Sequence, residues 1–222
     1  MHKEAGSDKF CEIASDYYRI VTTRRPSINL YERIIDDNKL DALNFIESLT
    51  SSRLREQRGE TAFIPTEQKV FCENSSLIEA PFAYRAKSRF SNGSFGIFYA
   101  AKDLITAIEE TKYHKSLFFI STNEKACESQ QRVLFGNLNG NFNDIRNLNL
   151  PHLYSPYDYS DSQAFGCKLR GNNSDGVVYN SVRNKAGECF GVFKPNLIKS
   201  CREIKSLNYS WDGKKITVSE IK

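Results

Sequence analysis

The stretch Arg89-Phe-Ser-Asn-Gly-Ser-Phe-Gly-Ile-Phe-Tyr99 joins a guanidinium, two glycines and a terminal phenol. Glycine lets a backbone approach a ligand closely and take up positive φ. An arginine beside such a loop offers a planar fork of paired donors, which suits phosphate oxygens. The same pattern fits a simple β-hairpin, and residue types alone leave both readings open. Lys102 to His114 follows, with Asp103 placed to cap a helix and Leu104, Ile105 and Ile108 forming an apolar stripe. Thr106, Glu110 and His114 share the opposite face, because three- and four-residue steps return to one side of a helix. Periodicity assigns that face to solvent, with Glu110 and His114 a surface pair; a carboxylate facing a cleft gives the same pattern. A third segment, Asp175-Gly-Val-Val-Tyr-Asn-Ser-Val-Arg183, is a buried strand running into a polar end with Asn180, Ser181 and Arg183. Ligands often sit at strand ends, and a serine in an ordinary turn reads the same way. The chain has no G-x-S-x-G elbow, no G-x-x-x-x-G-K-[ST] loop and no G-x-G-x-x-G fingerprint. A serine hydrolase is therefore disfavoured, as is a P-loop or Rossmann cradle.

The elements that must position these residues are legible in outline. Leu40, Leu43, Ile46 and Leu49 recur at helical spacing, which predicts a helix over about Asp36 to Leu49. Phe95 to Tyr99 reads as a strand, followed by a helix from about Asp103 to His114. Further strands are expected at Ser116–Ser121, Arg132–Leu138, Asp175–Val182 and Cys189–Phe193, with a second helix over Asp158–Leu169. Ser210-Trp-Asp-Gly213 reads as a turn. A helical start followed by many strands points to one α+β domain rather than a regular βαβ array. A polar segment, residues 1–17, is expected ahead of a domain spanning 18–222.

Composition narrows the class. The chain has 222 residues, 40% of them hydrophobic and 26% charged, which is ordinary for a protein with a buried core. A net charge of +4 is too small to argue for direct nucleic-acid binding. Six cysteines lie at 11, 72, 127, 167, 189 and 201, none in a C-x-x-C pair, and only three histidines occur, so no zinc site is expected. Residues 1 to 9 lack an apolar signal region, and no apolar run is long enough to span a membrane. These features predict a reduced, cytoplasmic protein with free thiols.

Taken in order, several stretches resemble the RES-domain family, named for an Arg, a Glu and a Ser. They are Arg19-Ile-Val-Thr-Thr-Arg-Arg-Pro26, Glu47 to Arg55, Ser88 to Ala101, Thr106 to His114, Asp175 to Arg183 and Gly187-Glu-Cys-Phe-Gly-Val-Phe193. The likeness runs from about Tyr18 to Gly213, and the long region before the Arg-Phe-Ser loop resembles the ParT-type branch of these toxins. The resemblance implies an ADP-ribosyltransferase-like mixed β-sheet core with flanking helices and NAD⁺ as substrate. Some members degrade NAD⁺ by hydrolysis or phosphorolysis; others transfer ADP-ribose to a protein, and the ParT-type members resemble those. It also implies a partner antitoxin carrying a helix-turn-helix that blocks the active site.

Carried over residue by residue, Arg89 resembles the family arginine, Tyr99 the tyrosine ten positions later, Glu110 the glutamate eleven beyond that, and Ser181 the serine. Glu109 has the wrong spacing and lies about 100° away around a helix. Arg19 is the candidate second arginine, with Arg24 and Arg25 as rivals, and His114 stands one turn beyond Glu110, placed to orient it. Ser91 occupies a position where many members carry asparagine. The expected catalytic set is Glu110, Arg89 and Ser181, with Arg19, Arg89, Tyr99 and Ser181 holding NAD⁺ and no metal required. In that scheme Glu110 stabilises the oxocarbenium-like ribose, the arginines hold the pyrophosphate and Tyr99 faces the nicotinamide. Ser181 is expected to bond a phosphate or ribose oxygen. Two other classes compete: an RNA-targeting toxin, for which charge and histidine are scarce, and an inactive binding module on the same fold.

Overall fold

Alternation along the strands divides the interior into two layers. Val133 and Leu134, Val177 and Val178, and Cys189 and Phe190 are successive buried residues that belong to opposite core clusters. Successive side chains of a strand leave opposite faces, so one sheet carries both clusters. The computed structural model describes residues 9–23, 64–70, 74–83 and 85–221. The helix expected over Asp36–Leu49, together with Arg24 and Arg25, lies outside them.

In chain order the elements are β1 (Phe10–Thr22), α1 (Ser75–Ala83), β2 (Lys87–Ser88), β3 (Ser91–Asn92), β4 (Phe98–Ala101) and α2 (Leu104–Ser121). They continue with β5 (Cys127–Asp144), α3 (Ser160–Gly171), β6 (Gly176–Asn180), β7 (Glu188–Val192), β8 (Arg202–Trp211) and β9 (Ile216–Ile221). The main sheet runs β1-β4-β7-β6-β5-β8-β9, and β1 also pairs with β5. That extra pairing closes β1, β4, β7, β6 and β5 into a ring, from which β8 and β9 extend. All pairings are antiparallel except β5 with β6, so the sheet is mixed. The fold is α+β, as composition and element order predict.

The ring is firm on one side and open on the other. β1 pairs with β5 along its whole length, from Phe10 opposite Asn143 to Thr22 opposite Gln131. Its pairing with β4 is confined to Tyr18 opposite Ala101, beyond which the two strands splay. β1 begins at Phe10 and so runs across the boundary expected at residue 18. Residues of α2 and α3, including Ala107, Phe119 and Leu169, pack into one cluster, while Ile78 and Phe82 of α1 pack into the other.

Two expectations are corrected. Ser116–Ser121 is not a strand but the last turns of α2. Its aromatic run suggested β structure, but Phe119 packs tilted on Trp211 with ring centroids 5.5 Å apart, and that tertiary contact overrides local propensity. The apolar stripe of α2 is only partly its buried side: Leu104 and Ile108 pack against the core, but Ile105 is 68% exposed, whereas Thr106 is fully buried. The helix thus buries Thr106 of its polar face beside Ala107.

Candidate active site

A cavity of about 390 Å³ opens where β1 and β4 splay, bounded by α2 and by the β2–β3 hairpin. Its lining includes Arg89, Tyr99, Glu110, His114, Arg19 and Tyr159. Each reaches it for a local reason.

Asp103 caps α2, accepting from the Thr106 backbone N–H at 2.8 Å and from the Thr106 hydroxyl at 2.7 Å. That hydroxyl also accepts from the Asn184 side-chain amide at 2.8 Å. Asn184 belongs to the turn after β6, which closes through the Gly187 N–H donating to the Asn184 carbonyl at 2.8 Å. A Cβ on Gly187 would stand 2.2 Å from the Thr106 hydroxyl, so glycine is needed for this turn to sit on the helix. One turn further along α2 the docking brings Ser181 to Glu110, with Oγ donating to the carboxylate Oε1 at 2.6 Å. Ser181 Oγ in turn accepts from the backbone N–H groups of Arg183 at 3.1 Å and Asn184 at 2.9 Å. With one donation and two acceptances the hydroxyl is fully used. In this arrangement it acts on the Glu110 carboxylate.

Glu109, the neighbour with the wrong spacing, points away and pairs with Lys112 at 2.8 Å, its side chain 39% exposed. His114 does lie beyond Glu110 on the cavity side. Desolvation by the surrounding cavity wall lowers its pKa from the ordinary imidazole value, although the residue keeps an exposed edge; Glu110 pulls it up, while Arg183 and Arg89 push it down.

Arg89 occupies the tip of the two-residue hairpin between β2 and β3, as the hairpin reading expects, and lines the cavity. Phe90 beside it is fully buried edge-on to Tyr179, with centroids 5.0 Å apart. The Tyr99 hydroxyl accepts from the Phe90 N–H at 3.0 Å and bonds the Ser88 hydroxyl at 2.9 Å. Burial pushes its pKa up to about 12. Tyr99 therefore braces the arginine hairpin as well as lining the cavity. Ser91, also fully buried, donates to the Phe95 carbonyl at 2.6 Å and accepts from the Gly93 N–H at 3.1 Å, closing the turn after the hairpin. Arg89 Nη1 donates to the carbonyls of Leu153 at 3.3 Å and Ser155 at 3.0 Å. Its guanidinium lies over Tyr159, 4.5 Å from the ring centroid.

Arg19 bridges the splay. Its Nη1 donates to the Tyr99 carbonyl and its guanidinium lies over the Phe98 ring at 4.6 Å. Although the residue as a whole is half-buried, its Nε is buried with no acceptor, and desolvation lowers its pKa to about 10. Cys189 also lines the cavity, its thiol pushed up by burial and by Glu110.

Sequence reasoning missed Tyr159, Asn184 and the docking role of Thr106. Tyr159 comes from a distant segment with no motif. The Thr106 signal was present, in the face it shares with Glu110. Among the described residues, no group of three or more His, Cys, Asp or Glu side chains stands close enough to hold a metal ion. No helix among them is long and apolar enough to cross a membrane.

The model of the RES domain matches residues 69–212, well over half of the chain. The chain belongs to the RES-domain family. An uncharacterized protein of Sinorhizobium fredii strain NBRC 101917 / NGR234, y4oC, is 26% identical over 212 residues, covering 93% of this chain and 87% of that one. A chain of the crystal structure of the M. tuberculosis MbcT–MbcA toxin–antitoxin complex covers 88% of this chain, and 86% of its own length is matched. Its TM-score is 0.45 at 11% identity, a likeness too distant to bear on the site.

Proposed function

We propose that this protein is a toxin enzyme that cleaves the nicotinamide–ribose bond of NAD⁺ and passes ADP-ribose to water, phosphate or a target protein. The observation that carries the reading is the Glu110 carboxylate, lining a cavity of about 390 Å³ and held there by Ser181 at 2.6 Å. Pockets of this size suit small molecules and parts of cofactors.

Breaking the bond leaves its electron pair on the nicotinamide nitrogen, which becomes neutral, and positive charge on the ribose carbon and ring oxygen. A fixed carboxylate stabilises that charge and can hold a ribose hydroxyl. The acceptor then bonds the ribose carbon and loses a proton to bulk water. Arg89 and the unpaired Nε of Arg19 offer donors for the pyrophosphate. Tyr99 and Tyr159 offer aromatic faces to the nicotinamide ring. Ser181 positions Glu110 instead of touching the ligand, and His114, which lines the same cavity, flanks the carboxylate. NAD⁺ is substrate here, and the step needs no metal. The five free cysteines among the described residues fit a reducing cytoplasm, and an antitoxin with a helix-turn-helix would act by covering the cavity mouth.

The acceptor is tested by incubating the purified protein with NAD⁺ labelled in the adenylate half, alone and with cell extract. Nicotinamide release by the protein alone supports hydrolysis or phosphorolysis. Release only with extract, with label on a protein band, supports ADP-ribosyl transfer. No nicotinamide in either case removes the reading.

A further inference from the structure

Arg183 stands two residues beyond Ser181 and belongs to none of the roles given above. Its guanidinium carbon lies 3.3 Å from the centroid of the Tyr113 ring. Nη2 donates to the Pro156 carbonyl at 2.7 Å, and Nε is buried without an acceptor. The Tyr113 hydroxyl donates to the same carbonyl at 3.2 Å. Arg89 approaches the same loop from the β2–β3 hairpin and takes the Leu153 and Ser155 carbonyls. Two cations from different elements thus hold three of the four carbonyls between Leu153 and Pro156. Both also act electrostatically on His114, so their fields converge beside Glu110. Among the described residues neither pairs with a carboxylate.

Neutral carbonyls are modest partners for guanidinium. An oxyanion makes bonds to it that are roughly twice as strong as neutral ones and can be bidentate. We propose that Arg183 is a further anion-binding cation serving this site, beside Arg89 and Arg19, and that segment 153–158 stands in for its ligand. A diphosphate-class anion takes over the donors of Arg183 and Arg89, and the segment is released. Leu153 is 2% exposed and stays in the core, while Tyr157 at the tip is 84% exposed, so the release is confined to residues 155–158. The proposal rests on the reading that the cavity takes a dinucleotide.

The test combines calorimetric binding of ADP-ribose and of inorganic pyrophosphate with amide hydrogen exchange over residues 155–158. Wild type and Arg183→Lys are compared, with melting temperature checking that the variant folds. Lysine keeps the charge and loses the fork. The expected result is several-fold faster exchange over 155–158 when ADP-ribose binds, and affinity about tenfold weaker in Arg183→Lys. Tyr113→Phe, which loses only the second donor to Pro156, should speed exchange in the free protein while leaving ADP-ribose affinity close to wild type. Equal affinity in Arg183→Lys with unchanged exchange over 155–158 overturns the proposal and leaves the dinucleotide reading standing. Pyrophosphate binding that frees the segment, without ADP-ribose binding, supports the anion clamp and removes the dinucleotide reading. Binding of neither probe overturns both.

Discussion

Replacing Ser181 with alanine removes one oxygen that makes three hydrogen bonds. The carboxylate of Glu110 loses its 2.6 Å donor, and the N–H groups of Arg183 and Asn184 lose their acceptor. The residue is 7% exposed, so water does not simply replace the hydroxyl. A hydrogen bond to a charged group contributes about 1.5–3 kcal/mol, and each orphaned buried donor costs about 1–3 kcal/mol. If the Glu110 bond serves the transition state, its loss lowers kcat by roughly 10- to 150-fold at 1.36 kcal/mol per factor of ten. The assay is steady-state nicotinamide release across NAD⁺ concentrations, with melting temperature as a check on folding. A positioning role predicts a fall in kcat with KM little changed. A direct contact between Ser181 and the ligand predicts a rise in KM with kcat retained, and that result would refute the reasoning.

Three further outcomes are expected. Glu109→Gln should leave turnover and stability within about 0.5 kcal/mol of wild type, since it removes only an exposed pair with Lys112; a large loss of turnover would reverse the assignment of the two glutamates. His114 is held below its ordinary pKa, so it binds its proton less well folded than unfolded and withdraws stability as pH falls below about 6.5. In urea unfolding at pH 5 and pH 7.5, His114→Asn should therefore lose less stability on acidification than wild type; an unchanged dependence counts against the lowered pKa of His114. Gly166→Ala places a Cβ 2.0 Å from the Phe90 carbonyl, forcing α3 off the arginine hairpin. It should cost about 1–3 kcal/mol, seen as a melting temperature lower by about 2–12 °C, and an unchanged value would show the contact to be slack.

Much of this was legible in the chain because motif and element coincide. Asp103 as cap, the helix after it, and the strands ending at Asn180 and Val192 all follow from local pattern. What local pattern could not supply was which side of α2 faces inward. Ile105 is the more apolar residue, yet Thr106 is buried because Asp103 and Asn184 satisfy its hydroxyl. A polar residue with its partners met can take an interior position that hydrophobicity assigns to its neighbour. The roles of Ser181 and Tyr99 were illegible for a related reason. Their hydroxyls are engaged by backbone groups of turns whose geometry depends on long-range docking. The closure of the sheet through β1 and β5 likewise joins residues more than a hundred positions apart, and no spacing rule announces it.

The most direct test of the central claim is single-turnover release of nicotinamide from NAD⁺ by wild type and Glu110→Gln, with binding of ADP-ribose measured on both. A charge role for the carboxylate predicts release at least roughly 10²-fold slower in Glu110→Gln, with ADP-ribose affinity close to wild type. Equal release rates in the two proteins would contradict the assignment of Glu110 to the bond-breaking step.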